Sequence, residues 1–262
     1  QHGQRAGWQL GAPAMVMRTG RSSMGRMRST SATTLPAPIG GLNDRDSIAD
    51  MPATDAVIME NIWPEPSRVS VRRGSLAHAT GIDGEVESLF EYSPPSGNVQ
   101  LFAGADEFIY NVTLSGEVDD PVVSGQTNAR YQTAAATTAG GSFLYAFNGE
   151  DKPLLYDGTD WTPIDDSSTP SITGITDTKT IIDGLVYKSR LYLVEKNSMN
   201  LWYLPPAQIG GAATAIDMGQ IFQRGGHVTT AKTWTIDAGS GSDDHLVVLS
   251  SNGEVAVFAG YD

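Results

Sequence analysis

The chain has 262 residues, with 17 basic and 30 acidic side chains, a net charge of −13 and no cysteine. That length can bury a sizeable core in one large or two ordinary domains, and the lack of cysteine excludes a disulfide framework and a thiolate metal site. No apolar run approaches the roughly 18 to 20 residues that span a bilayer, and residues 1–20 lack the charged start, apolar centre and cleavage site of a secretory signal.

Charge divides the chain before any motif does. Residues 1–34 carry Arg5, Arg18, Arg21, Arg26 and Arg28 without one acid, whereas the remaining 228 residues hold 12 basic and 30 acidic groups, a net of −18. The head, rich in Met, Ser, Thr, Gly and Arg with no stable period, reads as a basic arm, extended or disordered until it meets a partner. A tail without function is the plainer reading. An acidic body disfavours wrapping nucleic acid, which needs lysine and arginine against the phosphates.

Residues 35–75 read as a strap. Pro36 and Pro38 hold the backbone extended, and Gly40-Gly41 permits a tight turn. Thr54 or Asp55 is placed to cap a short helix over residues 56–63, which Pro64 and Pro66 end. On that helix Val57, Ile58, Ile62 and Trp63 are expected to pack inward. Val69 and Val71 then alternate with Ser70 and Arg72, the pattern of a strand with one charged face.

Residues 76–262 change to short apolar runs separated by Gly, Asn and Asp turns. In Ser142–Ile164, apolar runs flank Asn148-Gly149 and another follows Asp157-Gly158, which predicts a tight hairpin and the start of a third strand. Similar segments begin near Val99, Ser189 and Asp244. With Leu101, Leu144, Leu191 and Leu246 as markers of equivalent first strands, the intervals are 43, 47 and 55 residues. Such a period fits β-propeller blades, small antiparallel sheets packed side by side. Phe102, Phe108, Tyr145, Phe147, Leu155, Tyr192, Trp202 and Val247 are expected to fill the spaces between blades. The fold class is therefore all-β, about four propeller-like blades preceded by an extended arm and a short helix, with the propeller incomplete at its C-terminal side.

Enzyme chemistry is thin. His2, His78, His227 and His245 are scattered and make no i, i+4 metal pair. Asp237–His245 has the glycine content of a phosphate loop without its Gly-Lys-Ser/Thr ending. Asp119-Asp120, Asp165-Asp166 and Asp243-Asp244 fall in predicted loops; two carboxylates at a suitable separation could cleave a glycosidic bond, yet adjacent acids in turns are usually just solvated. Asn111-Val112-Thr113 fits the glycosylation triplet, which is common by chance. No catalytic, cofactor-binding or metal residue is assigned.

The strap carries a resemblance. Pro36-x-Pro38-x-Gly40-Gly41-Leu42-Asn43, then Asp44-Arg45-Asp46, Met51-Pro52-x-x-Asp55-Ala56, Glu60-Asn61 before Trp63-Pro64, and Arg72-Arg73-Gly74 closing a strand are similar to the packaged-DNA stabilisation proteins of short-tailed bacteriophages, also called tail nozzle or tail tubular proteins. The match covers some forty residues and is specific as a combination. It implies a structural virion protein of the tail, without enzyme activity or cofactor. Such a protein forms a homo-oligomeric ring, typically sixfold, below the tail adaptor, carries fibres or spikes, and helps retain packaged DNA that passes through its lumen without sequence-specific binding. Residues 1–34 have no counterpart in that resemblance, and neither do the closing blades. The arginines Arg18, Arg21, Arg26 and Arg28 of the arm, with Arg45, Arg68, Arg72 and Arg73 of the strap, are candidate subunit contacts; intrachain salt bridges are the alternative for the strap arginines. A propeller enzyme or binding module acting on cell-surface glycan is the competing function.

Overall fold

The computed structural model describes residues 34–235 and 244–259. The arm arginines Arg18, Arg21, Arg26 and Arg28, and most of the glycine-rich loop before His245, lie outside the described residues. The chain divides into two compact units, one ending at Ser75 and one beginning at Leu76.

In the first unit, β1 (Gly41–Leu42) pairs in parallel with β2 (Asp55–Ala56), and β3 (Ile62–Glu65) pairs antiparallel with β4 (Arg68–Val71). The strand expected at Val69 and Val71 is there. The expected helix is not: residues 57–61 are irregular and residues 62–65 form β3. Asn61 has φ 56°, the left-handed region, which stops a helix from growing through it. Val57 and Ile58 are β-branched and poor at nucleating so short a helix, and Asp55, the expected cap, is committed to pairing with Gly41. The inward packing expected of Val57, Ile58 and Trp63 fails with the helix. These residues are 48%, 73% and 71% exposed, and Ile62 is half-buried.

The second unit is built on four antiparallel sheets among the described residues. A two-residue strand, β5 (Ala79–Thr80), precedes the first sheet, β6 (Val86–Tyr92), β7 (Gln100–Ala105) and β8 (Phe108–Asn111), and β9 (Gly116–Glu117) follows it. The second sheet is β10 (Gln132–Thr138), β11 (Gly141–Phe147), β12 (Leu154–Tyr156) and β13 (Trp161–Pro163). After β14 (Ile172–Thr173), the third sheet runs β15 (Ile181–Tyr187), β16 (Arg190–Glu195) and β17 (Asn200–Tyr203). The chain then passes through β18 (Gly211–Ala212) to the sheet's fourth strand, β19 (Thr214–Asp217). The fourth sheet is β20 (Val228–Thr235), β21 (Asp244–Ser250) and β22 (Val255–Ala259). Only two short 3₁₀ turns, Thr178–Thr180 and Met218–Gln220, are helical among the described residues. Among the described residues the protein is all-β, and its sheets do not close into a barrel.

Consecutive sheets share cores. Phe90, Phe102 and Ile109 of the first sheet meet Leu144, Leu154 and Tyr156 of the second; Tyr145, Phe147 and Leu155 of the second meet Ile181, Leu191 and Leu193 of the third; Leu185, Val194 and Leu201 of the third meet Ala231, Leu246 and Val248 of the fourth. Strand alternation makes this serial packing possible. On β16, Leu191 and Leu193 face the second sheet while Tyr192 and Val194 face the fourth, so one strand serves two cores. Of the aromatic and branched residues expected between sheets, Phe102, Tyr145, Phe147 and Leu155 are buried, while Phe108, Tyr192, Trp202 and Val247 are half-buried.

Two expectations change in detail. The marker leucines Leu101, Leu144, Leu191 and Leu246 stand on β7, β11, β16 and β21, each the second strand of its sheet. The preceding strands escape notice because they alternate weakly: β10 reads Gln-Thr-Ala-Ala-Ala-Thr-Thr. Nor does Asn148-Gly149 make a two-residue hairpin, since residues 148–153 separate β11 from β12. Asn148 Oδ1 instead accepts from the N–H groups of Glu150 and Asp151 at 3.1 and 2.9 Å, and Asp151 is drawn away to accept from Thr127 N at 2.6 Å.

The first and third sheets carry the same clasp. Thr80-Gly81-Ile82 and Thr173-Gly174-Ile175 are identical tripeptides 93 positions apart. In each case the short strand before the sheet pairs in parallel with the segment after its third strand, β5 with β9 and β14 with β18. Val118 N donates to Thr80 O at 2.9 Å, and Ala213 N to Thr173 O at 2.7 Å. Gly81 and Gly174 both take positive φ, 81° and 91°, where a Cβ on Gly174 would stand 2.7 Å from Ala213 O.

Candidate functional site

Sequence reasoning placed its candidates on the strap. There the structure gathers Gly40, Gly41, Asn43 and Asp55 into one knot. Asn43 Nδ2 donates to Asp55 at 2.9 Å and to Asp46 at 3.0 Å, while its Oδ1 accepts from the N–H groups of Arg45 and Asp46 at 3.3 and 3.1 Å. Gly40 N donates to Thr54 O at 2.8 Å. A Cβ on Gly40 would fall 2.0 Å from Asp55 Oδ1, so a side chain at residue 40 would have to displace the Asp55 carboxylate. Pro64 lies against Gly41. Pro36 is exposed and Pro38 half-buried, and Leu42 and Trp63, at 62% and 71% exposure, stand outside the knot. The short motif elements therefore hold a turn, and its large apolar side chains face outward.

The four strap arginines separate into two pairs. Arg45 Nε lies 3.1 Å from Asp46, and Arg68 Nε 2.6 Å from Glu65. Asp46 is held below the ordinary carboxylate range by Asn43 and then Arg45, and Glu65 by Arg68 and then Ser70. Arg72 and Arg73 are exposed and make no ion pair among the described residues.

The other chemistry is occupied with holding loops. Asp165 accepts from Lys152 Nζ at 2.5 Å and from the N–H groups of Ser167 and Ser168 at 2.9 and 2.8 Å, which holds its carboxyl far below the usual range; the lysine is the largest cause. Asp244 is not in a loop but opens β21, where it accepts from Thr235 Oγ1 at 2.5 Å. His78 Nε2 lies 2.8 Å from Val112 O and ties the start of the second unit to the end of β8. Asn111 Oδ1 accepts from Thr113 N and Oγ1 at 3.0 and 2.6 Å, closing the glycosylation-like triplet on itself. No cluster of three metal-ligating side chains occurs among the described residues, and no helix there is long and apolar enough to cross a membrane.

One buried charge escaped sequence reasoning. Asp183, on β15 and 3% exposed, accepts from Thr230 Oγ1 at 2.6 Å and Lys232 Nζ at 2.8 Å on β20, pinning the third sheet to the fourth. Its only signal is an acid between Ile182 and Gly184 in an apolar run.

Asp119-Asp120 is placed differently from the other acid pairs. With Glu117 it borders an open groove of about 960 Å³ along residues 97–100 and 111–122, whose walls include Val99, Leu114 and Val118 and, among the described residues, no basic side chain. Val99 and Leu114 are 52% and 84% exposed, and Val122, also in the groove, is 44% exposed.

No protein-family model matches the chain, and no curated protein is significantly similar to it.

Proposed function

We propose that this chain is a structural protein of a bacteriophage virion, a subunit of the nozzle ring at the distal end of a short tail. Its four sheets are read as blades of a β-propeller, and the residues up to Ser75 as the part that ties subunits to their neighbours. The observation that carries this reading is the strap: its Pro-x-Pro-x-Gly-Gly-Leu-Asn motif resembles that family, and its large apolar side chains are exposed in the single chain. A segment that keeps its tryptophan and isoleucines outside has the chemistry of an assembly element rather than of a domain complete in itself. The acidic body supports the same role: a negative wall repels DNA phosphates, so a genome slides past it without being held. The ring, typically sixfold, would sit below the tail adaptor, help retain packaged DNA and carry fibres or spikes.

The competing glycan-directed enzyme gains nothing from the acid pairs. Asp165 is bound by Lys152 and two serines, and no basic or aromatic side chain among the described residues lines the groove beside Asp119-Asp120.

Light scattering and electron microscopy of the purified protein test the proposal. A ring of several subunits with an acidic central opening is the expected result. A monomer that depolymerises bacterial surface glycan would overturn the nozzle reading, and a ring with a basic lumen would overturn the sliding-channel account of its charge.

A further inference from the structure

The residues before Ser75 present an unsolved surface. Leu42, Ile48, Ile58, Trp63 and Val71 are 62% to 75% exposed, and among the described residues of this unit only Gly41 is buried. A segment of about 40 residues with no disulfide and no core of its own usually needs a partner to be stable. Charge indicates which partner. Residues 61–75 carry Arg68, Arg72 and Arg73 against the single acid Glu65, and Glu65 is already engaged by Arg68 and Ser70. The hairpin surface is thus apolar and cationic, although residues 35–75 together, with six acids against four arginines, are net acidic. The groove of the first sheet is its complement, with exposed Val99, Leu114 and Val122 beside Glu117, Asp119 and Asp120.

We infer that the β3–β4 hairpin of one copy docks in the groove bordered by Glu117, Asp119 and Asp120 of a second copy. Trp63, on the hairpin face it shares with Ser70, covers the groove's valine and leucine side chains, and Arg72 and Arg73, just past the end of β4, face its carboxylates. Hairpin and groove are different patches of one chain, and in the ring proposed above the hairpin of each copy meets the groove of the next, head-to-tail. Repeated from copy to copy, such a contact closes into a ring or continues as a filament. The inference rests on the ring proposed above and supplies its contact.

Charge reversal in two chains tests it. Arg72→Glu with Arg73→Glu makes the hairpin anionic, and Asp119→Arg with Asp120→Arg makes the groove cationic. Each variant alone is expected to self-associate roughly 10- to 100-fold more weakly than the parent chain, the scale of like charges brought together at an interface. An equimolar mixture should restore assembly, because each hairpin then finds a groove of opposite sign on the other variant. Light scattering reads the mass, and circular dichroism checks that both variants keep their strand content. Trp63→Ser, which leaves every charge in place, should weaken assembly as well. If both charge variants assemble like the parent, or if the mixture stays dissociated while the parent assembles, the contact is refuted and the ring proposal stands. If the hairpin instead covers the groove of its own chain, mixing restores nothing, and the inference fails in the same way. A parent chain that is monomeric at every concentration removes the ring itself, and this contact with it.

Discussion

The residues up to Ser75 and those from Leu76 onward solve the same problem in opposite ways. In the second unit, apolar residues on both faces of a strand find neighbours, because every sheet but the last is followed by another: Leu191 and Leu193 turn one way, Tyr192 and Val194 the other. In the first unit, pairing is just as regular, with Gly41 opposite Asp55 and Ile62 opposite Val71, yet none of its described residues buries Ile58, Trp63 or Val71. Backbone hydrogen bonding therefore settles local shape in both units, while burial separates the unit that carries its own core from the one whose described residues form none.

Substitutions should expose that contrast most strongly in the core. Phe147→Ala, at a fully buried ring stacked 5.5 Å from Tyr145, is expected to cost the second unit about 3–5 kcal/mol. Ile58→Ala should change the stability of the unassembled chain by less than about 0.5 kcal/mol. Urea titrations followed by circular dichroism compare the two, and a large loss for Ile58→Ala would mean that the strap is already covered in the single chain.

Backbone positions should give a smaller difference. Gly174→Ala places a Cβ at φ 91° against Ala213 O, and a loss of about 1–3 kcal/mol is expected from such a strained site. In Gly40→Ala the new Cβ meets the Asp55 carboxylate instead, so the strap should lose its Asn43 contact while the melting temperature of the second unit stays put. Hydrogen exchange resolved by segment distinguishes local opening around residues 40–56 from global unfolding.

Acid should produce the smallest change and should act through loops. Burial pushes Asp151 up, but the hydrogen bonds from Thr127 and Asn148, with the charge of Lys179, outweigh it and hold the carboxyl low. Backbone N–H groups of Asp160 and Thr159 lower Asp157, and Lys152 with the serines lowers Asp165. Unfolding returns each carboxyl to about 3.9, so the unfolded chain takes up protons first as pH falls. The stabilisation is present above about pH 4 and is lost as pH drops through the lower folded values. Melting temperatures should stay flat from pH 8 to 5 in these respects and decline below about 4, and Asp165→Asn should flatten part of that decline. An unchanged decline in that variant would show that Asp165 contributes none of it.

Much of the β architecture was legible because it rests on local chemistry. Apolar runs ending in Asp157-Gly158 mark a turn, and in the structure Asp157 Oδ1 accepts from Thr159 and Asp160 while Gly158 takes φ 102°. What escaped depends on long-range contacts. A capping pattern at Thr54-Asp55 looked helical because nothing local reveals that Asp55 pairs with Gly41 fourteen residues earlier. The alternation on β10 was too weak to stand out, since its buried Ala134 is small and shares a core with the larger Tyr145 and Phe147 of β11 in the same sheet. Among the candidate site residues, the tight turn at Gly40-Gly41 was legible from its glycines, whereas the tie from Asn43 to Asp55 was not. Nor was the outward stance of Trp63, because a strand pattern shows which residues share a face and not whether another surface covers it.

The paired Thr-Gly-Ile clasps also bear on the order in which the chain folds. Their parallel bridges join residues only 37 and 39 positions apart, Ala79 to Gly116 and Ile172 to Gly211. Each closes around the first three strands of its sheet, which are themselves joined by short connections. A sheet can therefore be completed and latched while later ones are still being synthesised, which keeps loop-closure costs small and limits the time its edges stay unpaired. On a ribosome the second unit would be built in instalments, each finished sheet offering its free face as the template on which the next one settles.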